Sequence, residues 1–279
     1  MALPVAVAAV STSGILIRLT TAPPLVTAAN RMLLAGFLLL VWAALRGPSE
    51  LPRALRQHGL LLALSGLLLG IHFALWTASL FLTSVASAVF LVDTHPALTA
   101  LLARIALGEL SGPALWLGIL LTALGGAIIG GGDFQLGGPA LPGDLMALGA
   151  SVAFAGYLVI GRHVRADLDV AVYAGLVYGI AGILLALAAV LSGSQLSSNA
   201  AHDAPLWLAL VLVPTLAGHT VFNWALRHVQ TSVVAVSVVG EPVGTTLLAW
   251  WLLAQQPQAA ALLGGATILV GLWLALKGH

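Results

Sequence analysis

Apolar runs of near-uniform length alternate along this chain with short breaks rich in glycine, proline and charge. A helix needs about 20 apolar residues to cross a bilayer at a rise of about 1.5 Å each. Ten runs fit: 2–19, 25–45, 58–79, 84–104, 112–131, 144–161, 169–191, 206–226, 231–253 and 257–276. The breaks include "RGPSELPRALRQHG", "GGDFQLGGPALPGD", "RHVRADLD" and "SGSQLSSNAAHDAP". None is long enough for a domain outside the membrane. The pattern predicts an all-α integral membrane protein, ten transmembrane helices in one bundle joined by turns.

Composition excludes the soluble alternative. Of 279 residues 60% are hydrophobic and 7% charged, where a soluble domain carries about a quarter charged. The mean hydropathy is +1.08. The net charge of +1 says nothing about nucleic acid, but no basic stretch is long enough to follow a phosphate backbone, so no nucleic-acid partner is expected. With no cysteine there is no disulfide, thiol nucleophile or thiolate metal site. The start "MALPVAVAAV" lacks the positive leader of a secretory signal and reads as a retained helix.

Arginine and lysine give the orientation. With a cytoplasmic N-terminus, Arg46, Arg53, Arg56, Arg104, Arg162, Arg165, Arg227 and Lys277 fall inside; Arg18 falls outside and Arg31 within a span. By the positive-inside rule both termini are expected in the cytoplasm.

The chain also repeats itself. "WTASLFLTSVASAVFLVDTHPALTALL" and its continuation align with "WALRHVQTSVVAVSVVGEPVGTTLLAW" and the residues after it. Trp76 matches Trp224, the Thr-Ser-Val at 83–85 matches 231–233, Pro96 matches Pro242, Gly118 matches Gly264 and Gly125 matches Gly271. The repeats are 1–137 and 138–279, five spans each. Five is odd, so the second must enter the membrane from the opposite side. Inverted repeats around a central cavity characterise secondary transporters that work by alternating access.

With ten spans in two halves, and "LGELSGPALWLGILLTALGGAII" after a proline-bearing span, the chain resembles the drug/metabolite transporter superfamily, in particular its EamA-type ten-helix exporters. The most specific element is the Leu-Gly-Glu turn, Leu107 to Glu109; in the second half Gln255 stands where the family repeats its glutamate. Within the superfamily it is most similar to exporters of aromatic and other neutral amino acids. The resemblance implies a multi-pass protein of the bacterial cytoplasmic (inner) membrane that moves a small molecule outward.

Candidate chemistry sits where polar groups interrupt the apolar runs. Asp93 lies mid-span, where a carboxylate costs about 2.5–3.5 kcal/mol, so it is expected to face the interior or water. Pro96 has no N–H and its ring clashes with the Val92 carbonyl, which predicts a break beside Asp93. Glu241 and Pro242 repeat the arrangement with Val238. Two matched broken helices, with Pro96 and Pro242 as hinges, point to a substrate site; the plainer alternative is a kink with a protonated, internally bonded acid.

His72, Trp76, Ser79 and Thr83 recur at helical spacing on one face. His219, Asn223 and Gln230, with Trp224 adjacent, repeat the stripe in the second half. Such faces would line a cavity offering Trp surfaces to an aromatic or cationic group, with His95, Tyr157, Tyr178, Trp250 and Trp251 as further candidates. The plainer alternative is packing for the histidines and the interfacial belt for the aromatics near span ends. Arg31 either snorkels outward or pairs with a carboxylate of the protein or of a substrate.

The only lysine is Lys277, so there is no Walker loop and ATP is not the fuel. Neither a metal nor another cofactor is called for. The expected function is export of small amphipathic metabolites, neutral or aromatic amino acids foremost, by proton exchange or facilitated diffusion. An intramembrane enzyme acting on a lipid carrier and a lipid-linked sugar flippase are the alternatives.

Overall fold

Inside a bilayer each segment must satisfy its own backbone hydrogen bonds, and this chain does so with helices throughout. The computed structural model describes residues 2–47, 49–130, 138–253 and 256–277. Among these there is no strand. In chain order the helices are α1 (Ala2–Val10), α2 (Ser13–Leu19), α3 (Pro24–Arg46), α4 (Glu50–Ser79), α5 (Val85–Val92), α6 (His95–Leu107) and α7 (Pro113–Gly130). A short 3-10 turn at Gly138–Ala140 leads into α8 (Leu141–Val164), α9 (Val170–Leu191), α10 (Ala200–Leu210), a π segment (Val211–His219), α11 (Thr220–Ala225), α12 (Thr231–Val238), α13 (Glu241–Leu253) and α14 (Ala259–Lys277).

Eight of the resulting segments are long and apolar enough to span a bilayer, and the apolar helices Ala2–Ile17 and Pro113–Ile129 are shorter. Of the ten expected spans of about 20 residues, eight are met at full length among the described residues, and the first and fifth coincide with these two shorter helices. The third also starts at Glu50, ahead of the expected 58. Arg18's side chain, Gln255 and the 131–137 connection lie outside the described residues.

Local sequence sets the helix ends. Pro24 opens α3 in the first turn, where its missing N–H is not needed. The Ser84 hydroxyl accepts the Ser87 N–H to start α5, and Asp169 accepts the Ala171 N–H to start α9. Gly108 closes α6 at φ 69°, the left-handed region that favours glycine.

Glycines decide how the two halves meet. A Cβ on Gly118 would stand 2.6 Å from the Gly271 carbonyl oxygen, and one on Gly125 2.5 Å from that of Gly264. No side chain fits at those distances, so α7 and α14 pack backbone to backbone. Gly118 and Gly264 are repeat mates, as are Gly125 and Gly271, so each contact is the image of the other. The pairing is antiparallel, as a two-fold axis lying between oppositely threaded helices requires. Helices α3 and α9 also pair antiparallel, with Gly36 against Gly179 and Gly182 against Leu33.

The crossings that carry Pro96 and Pro242 are broken at matched places. The first leaves helical geometry at Asp93 and Thr94, and α6 resumes with Pro96 in its first turn. The second breaks at Val239 and Gly240, and α13 resumes with Glu241.

Candidate functional site

A chain of ring contacts and hydrogen bonds runs through the interior from one half to the other. It starts at Arg31 on α3, whose guanidinium lies 5.8 Å from the Phe73 ring centroid. Phe73 meets His72 at 5.1 Å, and His72 meets Phe154 of α8 at 4.7 Å. His95 approaches the same Phe154 edge-on at 4.8 Å, and Phe154 reaches Tyr157 at 5.6 Å. Tyr157 donates to the Asn223 side-chain oxygen at 2.6 Å, and the Asn223 amide donates to the Tyr178 hydroxyl at 2.9 Å. The histidines of α4 and α6 thus flank one phenylalanine of the other repeat.

Arg31 does not snorkel: it is buried, with 4% of its surface exposed. Its Nε donates to the Thr215 hydroxyl at 2.6 Å and one terminal nitrogen to the Ser13 hydroxyl at 3.2 Å. Thr215 belongs to the π segment, where its own hydroxyl donates to the carbonyl of Leu210, five residues earlier. Pro214 within that segment supplies no N–H, a reason for the chain to abandon α-helical register here.

Glu241 and Asp93, both half-buried, interact electrostatically with one another, and Glu241 also with Arg31. The Ser11 hydroxyl shares its hydrogen between the Val7 carbonyl at 2.7 Å and the Glu241 backbone carbonyl at 3.2 Å, which sets the second break beside the α1–α2 junction. His219 lies within electrostatic reach of Arg31 and His72.

Other expected members stand apart. Trp224 is 43% exposed and stacks on His228 at 4.4 Å, so it faces outward and does not match Trp76 in surroundings. Trp250 and Trp251 are also exposed. Ser79 is buried but folds back to donate to the Trp76 carbonyl at 2.7 Å. Helix α4 ends there, so the stripe does not continue to Thr83, which bonds Asp144 at 2.8 Å instead. Trp76 is partly buried against the core. Phe73 and Phe154 are not among the expected members; Phe154 and Tyr157 share a helical face, which is the pattern that could have pointed to them.

A second polar cluster closes one end of the bundle. Glu109, just past α6, accepts from Arg162 Nε at 2.9 Å and from the backbone N–H of Thr231, the first residue of α12, at 2.9 Å. Arg162 also donates to the Leu226 carbonyl at 2.5 Å. Nearby, Arg165 donates to the carbonyls of Asn223 and Leu168. Burial draws its guanidinium down to about 10, against the opposing pull of Asp169, so it keeps its charge at neutral pH. This arginine end lies across the bundle from the α2–α3 link and the end of α9. Among the described residues no group of three or more His, Cys, Asp or Glu is placed to hold a metal.

The sequence profile of the EamA-like transporter family matches this chain twice, over residues 1–131 and 141–277. The chain belongs to the EamA-like transporter family. As an EamA-like protein of the drug/metabolite transporter superfamily, it is a multi-pass membrane transporter of small molecules built from two repeats, in a family of transporters and not of enzymes. A solved crystal structure superposes with a TM-score of 0.83 over 99% of this chain and 95% of its own, at 22% identity, a likeness that shows the fold alone. No curated protein matches the sequence.

Proposed function

We propose that this EamA-like transporter exports small amphipathic metabolites, neutral and aromatic amino acids foremost, by alternating access across the cytoplasmic membrane of a bacterium. Both termini lie in the cytoplasm, and ten crossings form two inverted repeats, 1–137 and 138–279. The observation that supports this reading is the pair of helix breaks, one at Asp93 and Thr94 and one at Val239 and Gly240 just before Glu241, at places of the two repeats matched by the same offset as Gly118 with Gly264. Broken helices at corresponding places of inverted halves are where transporters bind cargo.

In this reading His72, Trp76, Tyr157, His219 and Asn223 surround the cargo with Asp93 and Glu241, while Pro96 and Pro242 let the broken helices swing. Phe73 and Phe154 add the apolar surface an aromatic side chain needs. This reading leaves out Ser79, whose hydroxyl bonds its own helix, and Trp224, which is exposed.

Counterflow of labelled L-phenylalanine into proteoliposomes preloaded with unlabelled L-phenylalanine tests the reading. Accumulation above protein-free vesicles is expected, and its absence across the neutral amino acids would overturn the substrate class. An imposed pH gradient then separates proton exchange from facilitated diffusion. Equal rates with and without it leave only the latter.

A further inference from the structure

Arg31 is a cation buried in the membrane-spanning core, and no anion among the described residues touches it. Of its guanidinium nitrogens, Nε is held by Thr215, one terminal nitrogen by Ser13, and the other, fully buried, has no hydrogen-bond partner. Among the described residues no carboxylate lies within ion-pair distance of it. Glu241 and Tyr178 influence it electrostatically from farther away, and His219 faces the same charge. Leaving a buried charge and a buried donor unmatched is costly. Proteins keep such groups where something else completes them.

Its surroundings are built to aim it. Two neutral hydroxyls, one from each repeat, hold the fork without neutralising it. The Thr215 hydroxyl spends its hydrogen on the Leu210 carbonyl and so accepts from Nε. The Phe73 ring lies beside the guanidinium. The free edge of a guanidinium presents donors whose geometry matches a carboxylate, which a lysine does not reproduce.

We propose that Arg31, oriented by Thr215 and Ser13, is the binding site for the carboxylate of the transported molecule. The inference rests on the transporter reading and narrows its substrate class. A zwitterion set with its carboxylate on Arg31 directs its ammonium toward Glu241 and Asp93, and an apolar side chain toward Phe73 and Phe154. Cargo that joins hydroxyl groups of both repeats through Arg31 also contacts both bodies that must move.

The test compares acids with their amides on the purified full chain, by thermal shift and by inhibition of counterflow. The probes are L-phenylalanine against L-phenylalaninamide, and indole-3-acetate against indole-3-acetamide. Wild type should bind at least one acid about tenfold or more tightly than its amide, the scale of a charge-assisted hydrogen bond. Arg31→Gln should bind acid and amide alike. Arg31→Lys, which keeps the charge but loses the fork, should recover part of the preference and shows that the fold survives. Thr215→Val, which removes the hydroxyl on Nε, should reduce the preference and leave the charge in place.

Equal binding of acid and amide by wild type, or a preference that persists in Arg31→Gln, overturns the assignment while leaving amino-acid export standing. An Arg31-dependent preference confined to indole-3-acetate supports the site and overturns amino acids as cargo. Failure of every acid to bind overturns both.

Discussion

One carboxylate ties the two halves together at each end of the bundle, and the two ties are made differently. At the arginine end Glu109 holds the Arg162 side chain and a single backbone N–H, that of Thr231. At the opposite end Asp203 of α10 accepts the backbone N–H groups of both Thr21 and Ala22, the latter at 2.7 Å, and meets the His202 ring at 2.7 Å. The side chain of Asp203 is fully buried, whereas those of Glu109 and Arg162 are 12% and 30% exposed. A bond to backbone is fixed in place by the fold itself. A bond to an arginine depends on a long side chain that can swing away and be replaced by water. The contrast makes the Asp203 tie a strong staple and the Glu109 tie a weaker latch, and both must release in turn in an alternating-access cycle.

The largest effect is expected from breaking the staple. Asp203→Ala leaves two backbone donors of the first half without their acceptor and should give the greatest loss of thermal stability among single changes at either end, read by the melting temperature in detergent. A melt no lower than that of the latch variants would erase the distinction.

Next comes the latch itself. Glu109→Gln removes the charge from a partly exposed pair, so the cost is about 1 kcal/mol, enough to shift an open-to-closed ratio about fivefold. The chain has no native cysteine, so Gln230→Cys is a unique thiol next to the latch. It should react about fivefold faster with maleimide when Glu109→Gln is added. A double-mutant cycle with Arg162→Gln should return a coupling of the same size.

Salt provides a gentler test. Raising ionic strength screens an exposed pair more than a buried one, so the Gln230→Cys rate should climb with salt while that of a thiol introduced at Ser194, at the opposite end, falls as that end closes. The smallest effect is expected at His202, whose side chain is 63% exposed: His202→Ala should change stability by about 0.5 kcal/mol or less.

The helical class, the two repeats and the break points are readable from sequence because membrane solvation makes hydropathy length-specific and because proline and glycine act locally. Gly118, Gly125, Gly264 and Gly271 can be matched in the same way, yet their mutual contact cannot, since spacing does not say which helices face. The site is legible in part. His72, Asp93, Tyr157, Asn223 and Glu241 stand out as polar groups in apolar runs, while Arg31 has two fates that only its surroundings separate. Trp224 misleads because repeat symmetry does not extend to side-chain direction: its half carries a π segment that rotates the residues beyond it, and α4 does not. Phe73 and Phe154 are hidden because one more aromatic in an apolar run carries no contrast. Glu109 is visible only as a family mark, because its partners Arg162 and Thr231 lie 53 and 122 residues away.

The central claim is that the two halves rock about the paired breaks, opening one end as the other closes. Spin labels on Ile105→Cys with Arg227→Cys span the arginine end, and labels on Phe81→Cys with Leu191→Cys span the opposite end. Pulsed distance measurements on the two pairs in nanodiscs, with and without L-phenylalanine, should give distributions that move in opposite directions. Distances that stay single and unchanged at both ends, in protein shown to transport, would contradict it.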